Sequence, residues 1–384
     1  MIVALADDLT GAAEMGGIAY RHGLTAEVQT KFDPDSDADL IVVDTDSRSI
    51  SDKEAYSRIA EIAQQCQGFT LFKKVDSVLR GNVLVELAAL LETLERHRVL
   101  LVAANPELGR TVEHGLYLIE GQPLHQTDFA NDPEHPATTS NVKDILLQFD
   151  RLGVADQWPV HVKSVGEGMP ERGIVVGEAA DASDLQFWAN RLDRKTISAG
   201  AAEFFSAFLS TGGYPSQAET STQLTPGDTT LFVCGSTSVS ARRFCQQCEA
   251  AGIPVLRIPL EILGSTSPAS DLIQDWATSA VQAIEHHPRV VVAIDRPVHQ
   301  DDAVSQRLTT YLSTVVEFIL NRSSIDHLLV EGGATAATLI QRLNWQKMRV
   351  KYEFVPGVVC MQVVGERRPL LTMKPGSYIW PDDV

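Results

Sequence analysis

The amino-acid sequence predicts an α/β protein of two domains, each a largely parallel sheet flanked by helices, with the active site in the cleft between them. Three observations carry this expectation. Apolar runs of strand length alternate with stretches of helical periodicity in both halves, the pattern of βαβ units rather than of hairpins. At 384 residues the chain is too long for one ordinary hydrophobic core. A polar, turn-rich stretch at 212–228, GGYPSQAETSTQLTPGD, interrupts the alternation and reads as a linker. The expected division is a first domain at 1–211 and a second at 229–384.

In the first half, strands are expected at 2–5, 40–43, 69–72, 99–103 and 174–176, with helices near 11–22, 52–65, 83–96 and 182–192. Each strand candidate is a short continuous apolar run, as suits a strand buried on both faces. The segment 105–145 breaks the rhythm with Asn105-Pro106, Gly109, Gly115, Gly121, Asp132-Pro133 and His135-Pro136. It reads as a long ordered excursion over the sheet edge, and excursions of that length inside a compact domain are usually functional. In the second half, strands are expected at 230–234, 255–258, 290–294 and 328–330, with helices near 238–250, 269–286, 303–321 and 335–343. Strand-like pieces at 351–355, 358–364 and 370–373 follow. No sequence repeat relates the two halves.

Hydrophobic residues make up 44% of the chain and charged residues 21%, a globular profile. The net charge of −18 disfavours nucleic acid and anionic membrane surfaces as partners. An anionic substrate must therefore be held by local positive charge. The chain reaches Asp7 without a basic region, so its start does not read as a signal peptide. No run of about 18 apolar residues suggests a membrane span. Five cysteines, an odd and small number, fit reduced thiols and a cytoplasmic location. Cys245 and Cys248 have C-x-x-C spacing, but no second pair or nearby His accompanies them and 240–251 reads as one helix, so two buried thiols are expected. A homo-oligomer stays open.

The chemistry gathers where strands end. Asp7, Asp8, Thr10 and Gly11 follow the first apolar run, at the edge where open α/β sheets bind ligands. One aspartate, or Thr10, is expected to cap the helix that follows. Arg48 lies just past the second run, and Lys73, Lys74, Asp76, Ser77, Arg80, Gly81 and Asn82 follow the third. An arginine grips a carboxylate through two parallel hydrogen bonds. The residue types suggest an anion held beside a general base: Asp7 or Asp8 accepting a hydroxyl proton, Arg48 or Arg80 fixing a substrate carboxylate. In the second half, small-residue turns follow three strands: Gly235-Ser236-Thr237-Ser238, Gly332-Gly333-Ala334-Thr335 and Lys374-Pro375-Gly376-Ser377. Neither G-x-x-x-x-G-K-[ST] nor G-x-G-x-x-G is present. Three such turns nevertheless suggest a nucleotide pocket, because glycine lets the backbone approach a phosphate and helix N-termini attract its charge. Asp44-Thr45-Asp46 has the spacing of a paired-aspartate phosphatase, but Ser47-Arg48 does not continue that pattern and no later acidic pair offers a Mg²⁺ site.

Together, ADDLTG at 6–11, KKVDSVLRGN at 73–82, NPELGRTVEHGLYLIEGQPLHQTDFAND at 105–132 with Pro133 and His135-Pro136, CGSTS at 234–238 and EGGATA at 331–336 carry a resemblance. They resemble the four-carbon acid sugar kinases, which include threonate, erythronate and 3-oxo-tetronate kinases. The motifs stand in the family's order over nearly the whole chain. The resemblance implies a sugar-acid-binding first domain, a nucleotide-binding second domain, and ATP with Mg²⁺ phosphorylating a terminal hydroxyl of a small sugar acid. It implies that Asp7, Asp8, Arg48, Asp76, Ser77, Arg80, Gly81 and Asn82 line the substrate side, and that Ser236, Gly332, Gly333, Ala334, Thr335 and Gly376 touch ATP. Two departures stand out. The tail MKPGSYIWP at 373–381 only loosely follows the family's Lys-Ser-Gly-Gly-Phe-Gly ending, and Ala334 stands where a polar or acidic residue is usual. The competing expectations are a non-catalytic sugar-acid-binding protein and a sugar-phosphate phosphatase.

Overall fold

The structure is a computed structural model that describes residues 1–132, 135–148, 150–217, 229–263, 270–295, 302–376 and 378–381. Pro133, Ser377 and most of the expected linker, 218–228, lie outside the described residues. The chain divides into two compact units, Met1–Glu219 and Thr220–Val384.

The first unit opens with β1 (Ile2–Ala6), α1 (Leu9–Arg21), β2 (Ala26–Gln29), β3 (Leu40–Asp44), α2 (Asp52–Gln65), β4 (Thr70–Lys74), α3 (Val83–Thr93) and β5 (Arg98–Val102). An excursion follows, with β6 (Arg110–Glu113), β7 (Leu116–Ile119), β8 (Gln122–Pro123), α4 (Val142–Leu147) and α5 (Val154–Gln157). The unit closes with β9 (Val160–Lys163), β10 (Gly173–Gly177), α6 (Ala182–Ala189), β11 (Thr196–Gly200) and α7 (Ala202–Thr211). Its main sheet has the order β2-β3-β1-β4-β11-β5-β10-β9, and every pairing in it is parallel. β1, β3, β10 and β11 are buried along their whole length, as helices on both faces require. Leu5, Ile41, Val43, Leu87, Leu101 and Val176 belong to one continuous core cluster. The excursion forms an antiparallel sheet, β6-β7-β8, tied down by bridges from Val112 to Ala179 and from Leu116 to Asn141.

The second unit contains β12 (Thr230–Cys234), α8 (Val239–Ala250), β13 (Val255–Arg257), α9 (Leu260–Leu263), α10 (Ser270–His286), β14 (Arg289–Ala293), α11 (Asp302–Leu320), β15 (His327–Glu331) and α12 (Gly333–Arg342). β16 (Lys347–Val355), β17 (Val358–Val363) and β18 (Leu370–Lys374) follow. Its strand order is β13-β14-β12-β15-β18-β17-β16. β13 to β18 along that order run parallel, and β17 and β16 add an antiparallel edge. Cys245 and Cys248 lie on one helix and, like the other cysteines, are free and buried, as the sequence suggests.

The α/β class and the alternation of strands and helices match the sequence reading. Several details differ. The helix expected to reach residue 96 ends at Thr93, because Glu95 takes a left-handed backbone with φ 51°. β2, β9 and β11 are strands that no apolar run announces. In β2 the polar Glu27 and Gln29 are buried because Gln29 Nε2 donates to Glu27 Oε1 at 2.7 Å, so they cost little inside the sheet.

Candidate functional site

Register brings the first cluster together. Ala6 pairs with Asp44 and Leu5 with Lys73, so β1, β3 and β4 end level with one another. Asp7, the 45–48 segment and the 75–82 segment therefore leave the sheet at one edge. The Asp7 carbonyl accepts from the N–H groups of Ser47 (3.0 Å) and Arg48 (3.3 Å), which fixes the arginine above the strand end. Asp8 takes an extended backbone as N-cap of α1, and its Oδ1 accepts from Gly11 N at 2.7 Å.

Arg48 joins the two aspartates. Its Nε and Nη2 donate to the two carboxylate oxygens of Asp7 at 2.7 and 3.0 Å, and its Nη1 donates to Asp8 Oδ2 at 2.7 Å. The two neighbours are pushed apart in acidity. Burial pushes Asp7 up, but the Arg48 guanidinium and Lys73 outweigh it and hold that carboxyl below its ordinary range. For Asp8, burial wins over Arg48, with the Asp7 charge adding to it, and the carboxyl is raised. Asp44, at the end of β3, is pushed up to about 8 by burial and by the charges of Asp46, Asp8 and Asp7.

The basic cluster is paired in the same manner. Arg80 Nε and Nη2 donate to Asp76 Oδ2 and Oδ1 at 2.9 and 2.8 Å, and its Nη1 donates to Asp132 Oδ2 at 2.9 Å. Burial opposes the ionised form of Asp76, but Arg80, Arg48 and Lys74 hold its carboxyl far below the usual range. Lys74 is buried, donates to the Val75 carbonyl at 3.0 Å and stands 3.4 Å from Glu14 Oε2. Burial disfavours its charge, yet Glu14, Asp7 and Asp8 raise its pKa. Lys73 is fully buried, 2.7 Å from Glu86 Oε2. Asn82 Nδ2 donates to the carbonyls of Ser47 (2.9 Å) and Ile50 (2.8 Å), tying the start of α3 to the Arg48 loop. Gly81 has φ 85°, and a Cβ there would lie 3.0 Å from Arg48 Cγ and 3.1 Å from its carbonyl oxygen. A side chain would displace the arginine.

Thus Asp7, Asp8, Arg48, Lys74, Asp76, Arg80, Gly81 and Asn82 gather at one strand edge, and Ser77 beside them is held instead by Arg110, whose Nη1 donates to its Oγ, and by Tyr117, whose hydroxyl donates to its carbonyl. Both expected anion-holding arginines are neutralised by the chain's own carboxylates. Sequence reasoning missed Glu86, Glu14, Asp132, Tyr117 and Arg110. The signal for Glu86 was legible: it is a lone acid in the apolar run of α3, and its burial is satisfied by Lys73 and by Ser47 Oγ at 2.5 Å.

In the second unit, Cys234, Glu331 and Lys374 are level in register, so the turns after β12, β15 and β18 leave at one edge. The Oγ atoms of Ser238 and Ser240 each donate to the Gly376 carbonyl at 3.1 Å, and Gly332 N donates to the Lys374 carbonyl at 3.0 Å. A Cβ on Gly376 would lie 3.2 Å from Ser236 Oγ and 3.9 Å from Gly332 Cα. Gly332 takes φ 97° and α12 begins at Gly333 with no side-chain cap. Its first-turn N–H groups, those of Gly333, Ala334 and Thr335, are therefore open to an anion. Among the described residues, no group of three His, Cys, Asp or Glu could hold a metal ion, and no helix is long and apolar enough to cross a membrane.

The family model of a sugar-binding N-terminal domain matches residues 2–208, and that of a nucleotide-binding C-terminal domain matches residues 231–378. A D-threonate kinase of Salmonella typhimurium is 25% identical, over 94% of this chain and 90% of that protein. A D-erythronate kinase of Heliobacterium modesticaldum is 28% identical, over 97% and 92%. A 3-oxo-tetronate kinase of Actinobacillus succinogenes is 26% identical, over 98% and 96%. A solved Haemophilus influenzae protein of 20% identity shares the fold with a TM-score of 0.76, covering 99% of this chain and 98% of its own. The strand-end motifs, the sugar-binding and nucleotide-binding halves and these near full-length likenesses agree: the chain belongs to the four-carbon acid sugar kinase family.

Proposed function

We propose that this chain is a cytoplasmic, ATP-dependent kinase that phosphorylates a terminal hydroxyl of a four-carbon sugar acid of the threonate, erythronate or oxo-tetronate type. The observation that supports it most directly is the meeting of Ser236, Gly332 and Gly376 around the uncapped start of α12, in a chain whose relatives are kinases of such acids. In this reading residues 1–211 hold the acid, 229–384 hold the nucleotide and 212–228 join them.

Phosphoryl transfer needs the acceptor hydroxyl and the γ-phosphate in line and the charge neutralised; it needs little covalent help. Asp8 is the better general base. Its side chain is 31% exposed and its pKa is raised toward working pH, whereas Asp7 is sealed and locked by Arg48. Asp7 holds Arg48, and Arg48 with the Gly11 N–H in turn fixes the orientation of the Asp8 carboxylate, whose oxygens keep further lone pairs for a proton. Lys74, Asp76, Ser77, Arg80, Gly81 and Asn82 shape the acceptor side. On the donor side, Ser236, Gly332, Gly333, Ala334, Thr335 and Gly376 present small side chains and backbone N–H groups, which fit a triphosphate. Mg²⁺ bound with the nucleotide would supply charge neutralisation there, held by the phosphates rather than by a cluster of acidic side chains, since the described residues offer none.

Adding D-threonate, D-erythronate and 3-oxo-tetronate in turn with ATP and Mg²⁺, in an assay coupled to ADP release, tests the proposal. ADP release with at least one acid is the expected result. Acid binding without ADP release would favour a sugar-acid-binding protein, and phosphate release from a sugar phosphate without ATP would favour a phosphatase.

A further inference from the structure

Four cations at the edge of the first unit are neutralised by the chain itself. Arg48 holds Asp7 and Asp8, Arg80 holds Asp76 and Asp132, Lys73 pairs with Glu86 and Lys74 with Glu14. Arg110, on β6, differs. Its Nη1 donates to Ser77 Oγ, and its guanidinium lies 5.7 Å from the centre of the Phe129 ring, which Arg80 also approaches at 5.6 Å. Among the described residues no carboxylate stands within ion-pair distance of Arg110.

We infer that Arg110 receives the carboxylate of the acid substrate. Resting on the sugar-acid reading above, this assigns acid selection to the excursion rather than to Arg48 or Arg80. A hydroxyl and an aromatic face fix the guanidinium without discharging it. Of its five N–H donors, one goes to Ser77, and the rest can grip a carboxylate in the planar, two-bond manner. Ser77 is itself pinned, because the Tyr117 hydroxyl donates to its carbonyl and Tyr117 is buried in the core. A half-buried cation with no counter-ion among the described residues favours an anionic ligand, all the more in a chain of net charge −18. Arg48 and Arg80, already charge-balanced, are left to hold Asp7, Asp8 and Asp76 in place.

The test compares wild type with Arg110→Gln, Arg110→Met and Arg110→Lys, on whichever four-carbon acid of the panel is turned over and on the matching neutral tetritol. Calorimetric titration with the same acid gives binding apart from turnover, and circular dichroism confirms folding. In the Gln and Met variants the KM and Kd for the acid rise about 10- to 100-fold, the loss expected for charge-assisted hydrogen bonds. The KM for ATP and the rate on the tetritol stay within about twofold, and Lys restores part of the acid affinity. An acid KM within about twofold of wild type in either neutral variant, or an equal loss on acid and tetritol, would overturn the inference. If the Gln and Met proteins do not fold, full acid affinity in Arg110→Lys overturns it, because a point charge cannot replace the planar grip. Wild type that binds a sugar acid without phosphorylating it sinks the kinase reading alone, and the variants' Kd values still decide Arg110. Wild type that neither binds nor phosphorylates one sinks both.

Discussion

Glu331 and Lys374 stand 3.1 Å apart with side chains 1% exposed, level in register on β15 and β18, directly below the turns that carry Gly332 and Gly376. Burial raises the pKa of Glu331 and lowers that of Lys374, and each is opposed by the charge of the other. The ammonium also donates to the Tyr378 carbonyl at 2.7 Å and lies 5.1 Å from the centre of the Trp380 ring, so one buried cation ties the last segment to the sheet. Removing one partner leaves the other charged and dry. Glu331→Gln or Lys374→Met is expected to cost roughly 3–5 kcal/mol, read from urea unfolding. The double variant, with neither charge, recovers most of that loss.

Asp8→Asn is expected to lower kcat about 10²-fold or more while leaving the KM for ATP near normal. Asp7→Asn acts through the arginine and lowers kcat as well. A base works only when deprotonated, so activity falls as pH drops through the raised pKa of Asp8, and the acid limb of kcat/KM lies above the ordinary aspartate value of about 4. Steady-state kinetics from pH 4 to 9 would read this limb. Near-normal turnover in both variants would remove the aspartates from proton transfer.

Asp44 gives a pH signature in stability. With its folded pKa pushed up to about 8, it takes up a proton on folding between the ordinary aspartate value and that point. Its contribution therefore turns against the folded state as pH rises, by up to roughly 1.4 kcal/mol per pH unit. Asp44→Asn, which cannot ionise, is expected to be more stable than wild type at pH 8 and level with it near pH 4. Chemical denaturation at the two pH values checks the sign.

Gly235 has no room for a methyl group. A Cβ there would stand 1.8 Å from Thr335 Oγ1 and 2.9 Å from Thr335 Cβ, so Gly235→Ala must push the first turn of α12 outward. Raised KM for ATP with the acid KM unchanged is the expected result. Equal effects on both substrates would show that the strain spreads beyond the nucleotide turns.

Much of this was readable from the chain because the chemistry sits where apolar runs stop. Asp7, Arg48 and Arg80 lie far apart in sequence, yet parallel strands place their ends at one edge, so spotting the runs was enough to gather the residues. Pairing was not readable. Nothing in the order of residues says that Arg48 closes on Asp7 and Asp8 instead of waiting for a ligand, since that follows from the Asp7 carbonyl accepting two N–H groups across the sheet. Arg110 was hidden for a related reason: the role inferred for it depends on there being no carboxylate beside it among the described residues, which the order of residues does not reveal. Short strands such as Ala26–Gln29 escaped because their polar side chains satisfy one another inside the sheet.

β11 is inserted between β4 and β5, pairing Ala199 with Lys73 on one side and with Leu101 on the other. During synthesis, β4 and β5 both emerge from the ribosome well before the strand that belongs between them. Until then each carries an unpaired edge, open to mispairing with its neighbour or with another chain. The edge that gathers Asp7, Arg48 and Arg80 is built on β1, β3 and β4, but the sheet beneath it is complete only once Thr196–Gly200 is in place, a non-local pairing of the kind that slows folding.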